Sequence, residues 1–261
     1  MHTRKTSRRK FIKGSSLALA GLSVTPAVSA IRGINSEGSG EPLNIVCVGA
    51  HPGDPEFGCG GTMARFGDAG HNVVFIYLTR GEGWAGDPSI SHARAAELRT
   101  AEAEAACKIL KAQPVFAGQT DGETELNNST SETLTKLIMS FKPDMVFTQW
   151  PVDTHPDHQV TGCLSLSAWH KTGQSYDLYF YEVDTGSETM GFFPTDYVDI
   201  TGVHDRKLAA MMAHKTQGPE KIYEKDFIPM ESFRGIEAGV KLAEAFVHFK
   251  PKLSRTLIPG L

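Results

Sequence analysis

The sequence predicts an α/β domain, a mostly parallel sheet held between two helical layers in an α/β/α sandwich and built as a single domain. Two observations carry this. Short apolar runs recur at Asn44–Gly49, Val73–Leu78, Val115–Ala117 and Met145–Thr148. Such continuous, non-alternating runs suit strands buried on both faces. Segments with helical spacing lie between them, at Gly60–Ala69, Ser91–Lys111 and Ser131–Phe141. Strand alternating with helix is the pattern of a parallel sheet with helices on both faces.

The elements follow in order. A fourth helix is expected after Pro156, because proline is favoured at the first helical position. Leu178–Val183 and Tyr197–Ile200 read as further strands, and Asp205–His214 and Ile236–His248 as helices. No internal repeat or low-complexity tract is present. Open α/β sheets bind ligands beyond the carboxyl ends of their strands. A strand order 3-2-1-4 would make the first and fourth strands neighbours, so the loops after them would share one site.

The ends read differently from the centre. Ser7-Arg8-Arg9-Lys10-Phe11-Ile12-Lys13 has the form of a twin-arginine export signal; a mildly apolar stretch from Leu17 to Val24 and the small residues Ala27-Val28-Ser29-Ala30 follow. That apolar stretch is too short and too rich in Gly and Ser to span a bilayer. Residues 1–30 are therefore expected to be an export signal, 31–42 a Gly/Ser-rich linker and 43–261 the domain. The expected location is periplasmic or extracellular, with no integral membrane span in the mature chain.

Removing residues 1–30 leaves 20 basic residues (26 less the six in that segment) against 30 acidic ones, a net charge near −10. That balance argues against nucleic acid or an anionic membrane surface as partner and suits a neutral or cationic small molecule. Cys47, Cys59, Cys107 and Cys163 have no metal-finger spacing and read as buried thiols.

Two clusters carry the chemistry. Ala50-His51-Pro52-Gly53-Asp54-Pro55-Glu56 follows the first strand, and Asp153-Thr154-His155-Pro156-Asp157-His158 follows the fourth. Two imidazoles and one carboxylate leave an open coordination position, as a catalytic zinc requires. His155 and His158 are three residues apart and face similar directions on one helical turn. A metal-bound histidine commonly gives its second ring N–H to a carboxylate, for which Asp153 and Asp157 are candidates. Gly60-Gly61-Thr62 lacks both the dinucleotide fingerprint and the phosphate-loop lysine. Among the tryptophans, Trp150 lies beside the second cluster and is the candidate for stacking on a sugar ring.

These motifs resemble the LmbE-like, or PIG-L-type, zinc N-acetylglucosaminyl deacetylases over most of residues 43–250. Ala50–Thr62 is similar to the family signature AHPDD-x-E-x-x-x-GGT. Leu78–Glu82, Arg99 with Glu102, Asp121-Gly122, the stretch from Pro143-Asp144 to His158, Lys207 with His214 and Gln217, and Ala243–Phe246 resemble its later motifs. The resemblance implies a Rossmann-like fold, an N-acetylated amino sugar or related glycan as substrate and Zn²⁺ as cofactor. It implies His51, Asp54 and His158 as metal ligands. His155 would stabilise the tetrahedral intermediate or protonate the leaving amine, and Arg99, Asp121 and His214 would stand near the substrate.

One position departs from the family. Where it carries an Asp as general base, this chain has Gly53. Glycine accepts no proton, and losing a general base costs about 10²–10⁴-fold in rate. Asp153 or Glu56 could substitute, so His155, Asp153 and Asp157 form the candidate catalytic set. A slow enzyme, a carbohydrate-binding protein that has lost turnover, and a zinc amidase or esterase acting on a non-sugar acyl compound are the alternatives.

Overall fold

The structure, a computed structural model, describes residues 41–250. The expected export signal, nearly all of the expected linker and the segment 251–261 lie outside the described residues. Seven strands form one sheet in the order β3-β2-β1-β4-β5-β7-β6. They are β1 (Asn44–Gly49), β2 (Asn72–Tyr77), β3 (Ala112–Phe116), β4 (Met145–Gln149), β5 (Asp177–Tyr181), β6 (Asp196–Asp199) and β7 (Ala243–His248). The first five are parallel, and β7 pairs antiparallel with both β5 and β6. The expected order 3-2-1-4 is thus realised.

Helices α1 (Asp54–Asp68), α2 (His92–Leu110), α3 (Asn128–Ser140), α4 (Pro156–Lys171), α5 (His204–Met211), α6 (Pro219–Ile222) and α7 (Ile228–Ala238) cover the sheet. Two apolar clusters fill its two faces. One joins Ile45, Cys47, Phe75, Phe147 and Phe246 to the inner side of α1 and α2. The other joins Val46, Val48, Ile76 and Phe180 to α3 and α4. Alternate residues of β1 thus point to opposite layers, which is why its sequence is apolar throughout. Cys47, Cys59 and Cys107 are buried, with the Cys47 and Cys59 sulfurs 3.1 Å apart; Cys163 is only partly buried. Among the described residues no helix is long and apolar enough to cross a membrane.

One expected element is wrong. Residues 236–248 do not form a helix. Helix α7 ends at Ala238, Gly239 takes φ +72°, and Ala243–His248 becomes strand β7. Ala, Glu and His tolerate either state; the empty position between β5 and β6 decides, because pairing there buries Ala243, Ala245 and Phe246.

Strand β7 also brings a buried charge to α1. Glu244 accepts hydrogen bonds from the Gly61 and Thr62 backbone N–H groups (2.8 and 2.7 Å) and from the Thr62 hydroxyl (2.6 Å). Lys207 of α5 lies 2.6 Å from Glu244 and 2.8 Å from Glu231 of α7. All three side chains are excluded from water. Burial alone would lower the Lys207 pKa, but the two carboxylates raise it above the usual lysine range. The N–H groups engaged lie just beyond Cys59, where α1 leaves helical geometry (φ −145°). Glu244 therefore satisfies donors that the broken helix cannot.

Removing one partner of this group leaves an uncompensated buried charge. Lys207→Ala is expected to lower stability by about 3–5 kcal/mol, read as a lower midpoint in urea with an unchanged slope.

Candidate active site and metal centre

Strands β1 and β4 run parallel with Val48 opposite Thr148, so both chemistry-bearing loops leave the same edge of the sheet. The Gln149 side chain ties them together. Its amide oxygen accepts from the Ala50 N–H (2.8 Å), and its amide nitrogen donates to Asp54 Oδ2 (3.1 Å). After β1 the chain turns at Gly53, with φ +111° and ψ −41°, a conformation that L residues rarely adopt. Asp54 then opens α1, where a carboxylate meets the positive end of the helix. After β4, His155 caps α4 with its ring: Nδ1 accepts from the Asp157 N–H at 3.2 Å. Pro156 takes the first helical position, and His158 stands on the first turn.

His51 Nδ1 and His158 Nε2 lie 3.3 and 3.5 Å from Asp54 Oδ2. A tetrahedral metal with bonds of about 2.0–2.1 Å has ligand atoms about 3.3–3.4 Å apart, so these donors fit a zinc-sized ion. The far nitrogens are engaged too. His51 Nε2 lies 3.0 Å from Asp121 Oδ1 and 3.1 Å from Asp157 Oδ2, and His158 Nδ1 lies 3.3 Å from Asp153 Oδ1. Each proposed histidine ligand thus has a carboxylate behind it, the arrangement that fixes ring orientation at metal sites.

The electrostatics follow from this crowding. Burial pulls the His51 pKa down, but Asp54, Asp121 and Asp157 lift it well above the ordinary imidazole value. His158 is likewise raised, with Asp54 and Asp153 overcoming burial. Burial pushes Asp54 up, and the two imidazoles outweigh it to leave it low. Asp121, Asp153 and Asp157 are also held low, the histidine partner overcoming burial in each. His155 moves the other way, lowered by burial and then by the two neighbouring imidazoles. Its ring stacks on His158 at 4.6 Å and meets His51 edge-on at 4.8 Å.

These groups open into a cavity of about 420 Å³ whose walls include His51, Asp54, Trp84, Asp121, His155 and Glu188, within the size range of ligand pockets. A smaller recess of about 170 Å³ adjoins it at Gly53, floored by Phe57, Val183 and Phe227. A larger depression of about 580 Å³, around Asn44, His71 and Lys111, brings no histidine–carboxylate group together.

The remaining expected site residues divide. Asp121 reaches His51. Arg99 is buried in the cavity wall, where it donates to the Gly81 and Pro52 carbonyls (2.9 and 2.8 Å) and so braces the His51 loop. His214 is fully buried against Glu56, with Nε2 to Oε1 at 3.2 Å, and is not among the residues lining the cavity. Trp150 donates its indole N–H to the Met190 carbonyl and packs edge-on against Phe180 and Phe192; Trp84 stands on the cavity wall instead. Glu56 is spent on the Gly53 N–H (3.1 Å) and the Tyr77 hydroxyl (2.6 Å). Sequence reasoning missed Gln149 and Glu188. Glu188 lies on the irregular loop after β5, where no periodicity marks it. Burial pushes its pKa up to about 7, with His158 pulling it back.

A mostly parallel sheet thus brings two imidazoles and a carboxylate together beyond the ends of adjacent strands, a donor set that could hold a metal ion. The family model described as GlcNAc-PI de-N-acetylase, PIG-L, matches residues 46–169. A diacetylchitobiose deacetylase of Thermococcus kodakarensis is 30% identical over 201 residues, covering 70% of this chain and 75% of that protein. The structure of an N,N'-diacetylchitobiose deacetylase from Pyrococcus horikoshii superposes with a TM-score of 0.70 at 26% identity, over 78% of this chain and 83% of that one. The same fold occurs in a 4-carboxy-2-hydroxymuconate hydratase from Pseudomonas putida (TM-score 0.67, 20% identity, over 82% of this chain and 99% of that one). The chain belongs to the PIG-L, LmbE-like family.

Metal uptake competes with imidazole protonation, which the surrounding carboxylates favour at His51 and His158. Zinc binding to metal-free protein is expected to release protons and to tighten as pH rises, as calorimetry in buffers of different ionisation enthalpy will show. Asp157→Asn, which weakens the support behind His51, should lower zinc affinity about 10–100-fold in a chelator competition.

Proposed function

We propose that the protein is an exported, zinc-dependent hydrolase that removes an N-acetyl group from an amino sugar or related glycan. The observation that carries this reading is the convergence of His51, Asp54 and His158 at tetrahedral spacing, with His155 beside them in an open cavity. The names of the two deacetylases above support the sugar substrate. The twin-arginine pattern at Ser7–Lys13 supports export to a periplasmic or extracellular location.

His51, Asp54 and His158 would hold zinc. When bound, zinc supplies a Lewis acid that polarises a carbonyl oxygen and lowers the pKa of water. Asp121 and Asp157 fix the His51 ring, and Asp153 fixes His158. Trp84 offers a flat face at the cavity wall for a sugar ring. Because His155 Nδ1 accepts the Asp157 N–H, its proton sits on Nε2. Burial and the two neighbouring imidazoles favour the neutral ring. A neutral Nε2–H donor is suited to hydrogen-bond the oxygen that gains negative charge as the amide carbon becomes tetrahedral; it is poorly suited to giving its proton away.

Gly53 bears on how a base could be supplied. A Cβ there would meet Phe57 at 3.4 Å and His214 at 3.9 Å, ordinary contacts, so the obstacle to a side chain is the backbone at φ +111°. Gly53→Asp is therefore expected to cost about 1–3 kcal/mol of stability, measured by thermal or urea unfolding.

Acetate release from a panel of N-acetylated amino sugars by the zinc-loaded protein tests the reading. Turnover is expected, and zinc removal should abolish it. His155→Ala should lower kcat about 10²–10³-fold with zinc still bound. Release from simple acyl amides but not sugars would transfer the assignment to a non-sugar amidase. Sugar binding without release by any substrate would make the chain a carbohydrate-binding protein.

A further inference from the structure

Hydrolysis of an amide needs a group that takes a proton from water, and a proton acceptor needs a lone pair not already spent. Five of the six carboxylates around the imidazoles are spent. Asp54 Oδ2 accepts from the His51 N–H (2.8 Å) and from Gln149 and faces both rings. Asp121 accepts from the Gly83 N–H (2.9 Å) and faces His51. Asp153 accepts from the His155 N–H (2.9 Å) through one oxygen and the Thr189 hydroxyl (3.0 Å) through the other. Asp157 accepts from the Thr124 hydroxyl (2.7 Å) and from the Gly122 N–H (2.8 Å) beside His51. Glu56 holds the Gly53 N–H and the Tyr77 hydroxyl and is cut off from water.

Glu188 differs from all five. Among the described residues no N–H or O–H donates a hydrogen bond to its carboxylate; Oε2 lies 3.8 Å from His158 Nδ1, and a carboxylate oxygen of Asp153 lies within 4.8 Å of the Glu188 carboxylate. Its side chain is 37% exposed, and it lines both the main cavity and the recess at Gly53. Its backbone is held, however. The Glu188 N–H donates to the Asp184 carbonyl (2.8 Å), its carbonyl accepts from Thr154 (3.0 Å), and Thr189 bridges to Asp153. A fixed backbone and a cavity-facing carboxylate that accepts no hydrogen bond meet two needs of a general base, a defined position and an unspent lone pair.

We propose that Glu188 is the catalytic proton acceptor of this site, a role that rests on the hydrolase reading above. As the water oxygen bonds to the amide carbon, one water O–H bond breaks, its proton passes to Glu188, and the C=O π pair moves onto the carbonyl oxygen. The protonated Glu188 then gives that proton to the amide nitrogen as the C–N bond breaks and the C=O bond re-forms. The products are carboxylic acid and free amine, and Glu188 ends unprotonated. His155 is left to stabilise the oxyanion, in keeping with its tautomer.

The test compares acetate release and zinc affinity in the unmodified protein, Glu188→Gln and Glu188→Ala. The expected result is a fall in kcat of about 10²–10⁴-fold in both variants with unchanged zinc affinity, and recovery of Glu188→Ala by added formate, a small carboxylate that can occupy the vacated space. Full activity in Glu188→Gln would overturn the proposal while leaving the hydrolase reading intact. Loss of zinc affinity in Glu188→Gln would also overturn it, making Glu188 a metal ligand. An unmodified protein that hydrolyses nothing in the panel would overturn both.

Discussion

The parallel pairing of β1 with β4 is the constraint on which the site depends. Nearly a hundred residues separate the two strands, yet their register leaves Ala50 and Gln149 at the same sheet edge. The Gln149 amide then makes two bonds that no other side chain could make from that position: it accepts from one loop's backbone and donates to that loop's carboxylate. An amide is suited to this because it carries an acceptor and donors a fixed distance apart. The imidazoles need no long-range search; they are set by two short loops leaving adjacent, fully buried strands.

Around that edge the chain has stacked negative charge. Asp54, Asp121, Asp153 and Asp157 surround two imidazoles within hydrogen-bonding or near-contact distance. Unprotonated imidazoles would leave this cluster strongly repulsive in a site with little water. Two imidazolium protons offset half of that charge, and so does one divalent cation with both rings neutral. The same two units of positive charge arrive by either route. This explains why the proposed histidine ligands have raised pKa values while His155, which contacts no carboxylate so closely, has a lowered one. The buried Lys207–Glu231–Glu244 group has a different balance. Two carboxylates share one lysine, with His204 3.2 Å from Glu231 and backbone N–H groups on Glu244 carrying the rest. It braces the break in α1, and hence the helix that begins at Asp54.

The parts legible in the sequence were those with a local cause. The strands β1, β2 and β4 are apolar on both faces because both faces are covered, and a continuous run says so directly. The two loop clusters were legible because residue types and short spacing suffice to suggest a shared ligand. Where the cause was distant, the reading failed. Ala243–His248 carries residues at home in a helix, and only the gap between β5 and β6 makes it a strand. Trp150 is close to the second cluster in sequence, but the aromatic pair Phe180 and Phe192 draws it away from the cavity, while Trp84 arrives from a loop after β2. His214, which the family resemblance set near the substrate, lies behind Glu56.

Glu188 shows the limit most sharply. Nothing in its sequence neighbours distinguishes it from any acidic loop residue. Its position follows from Thr189, which is pinned to Asp153 and to the Val183 backbone. Asp153 in turn faces His158. A carboxylate in the loop after β5 is therefore placed by the same acidic residue that orients a proposed ligand on α4. The turn at Gly53 gives the loop after β1 a backbone that disfavours a side chain, and the recess left there is walled by Glu188. In this geometry the proton acceptor and the group it serves approach from different strands, and the open space at Gly53 is what lets them share one cavity.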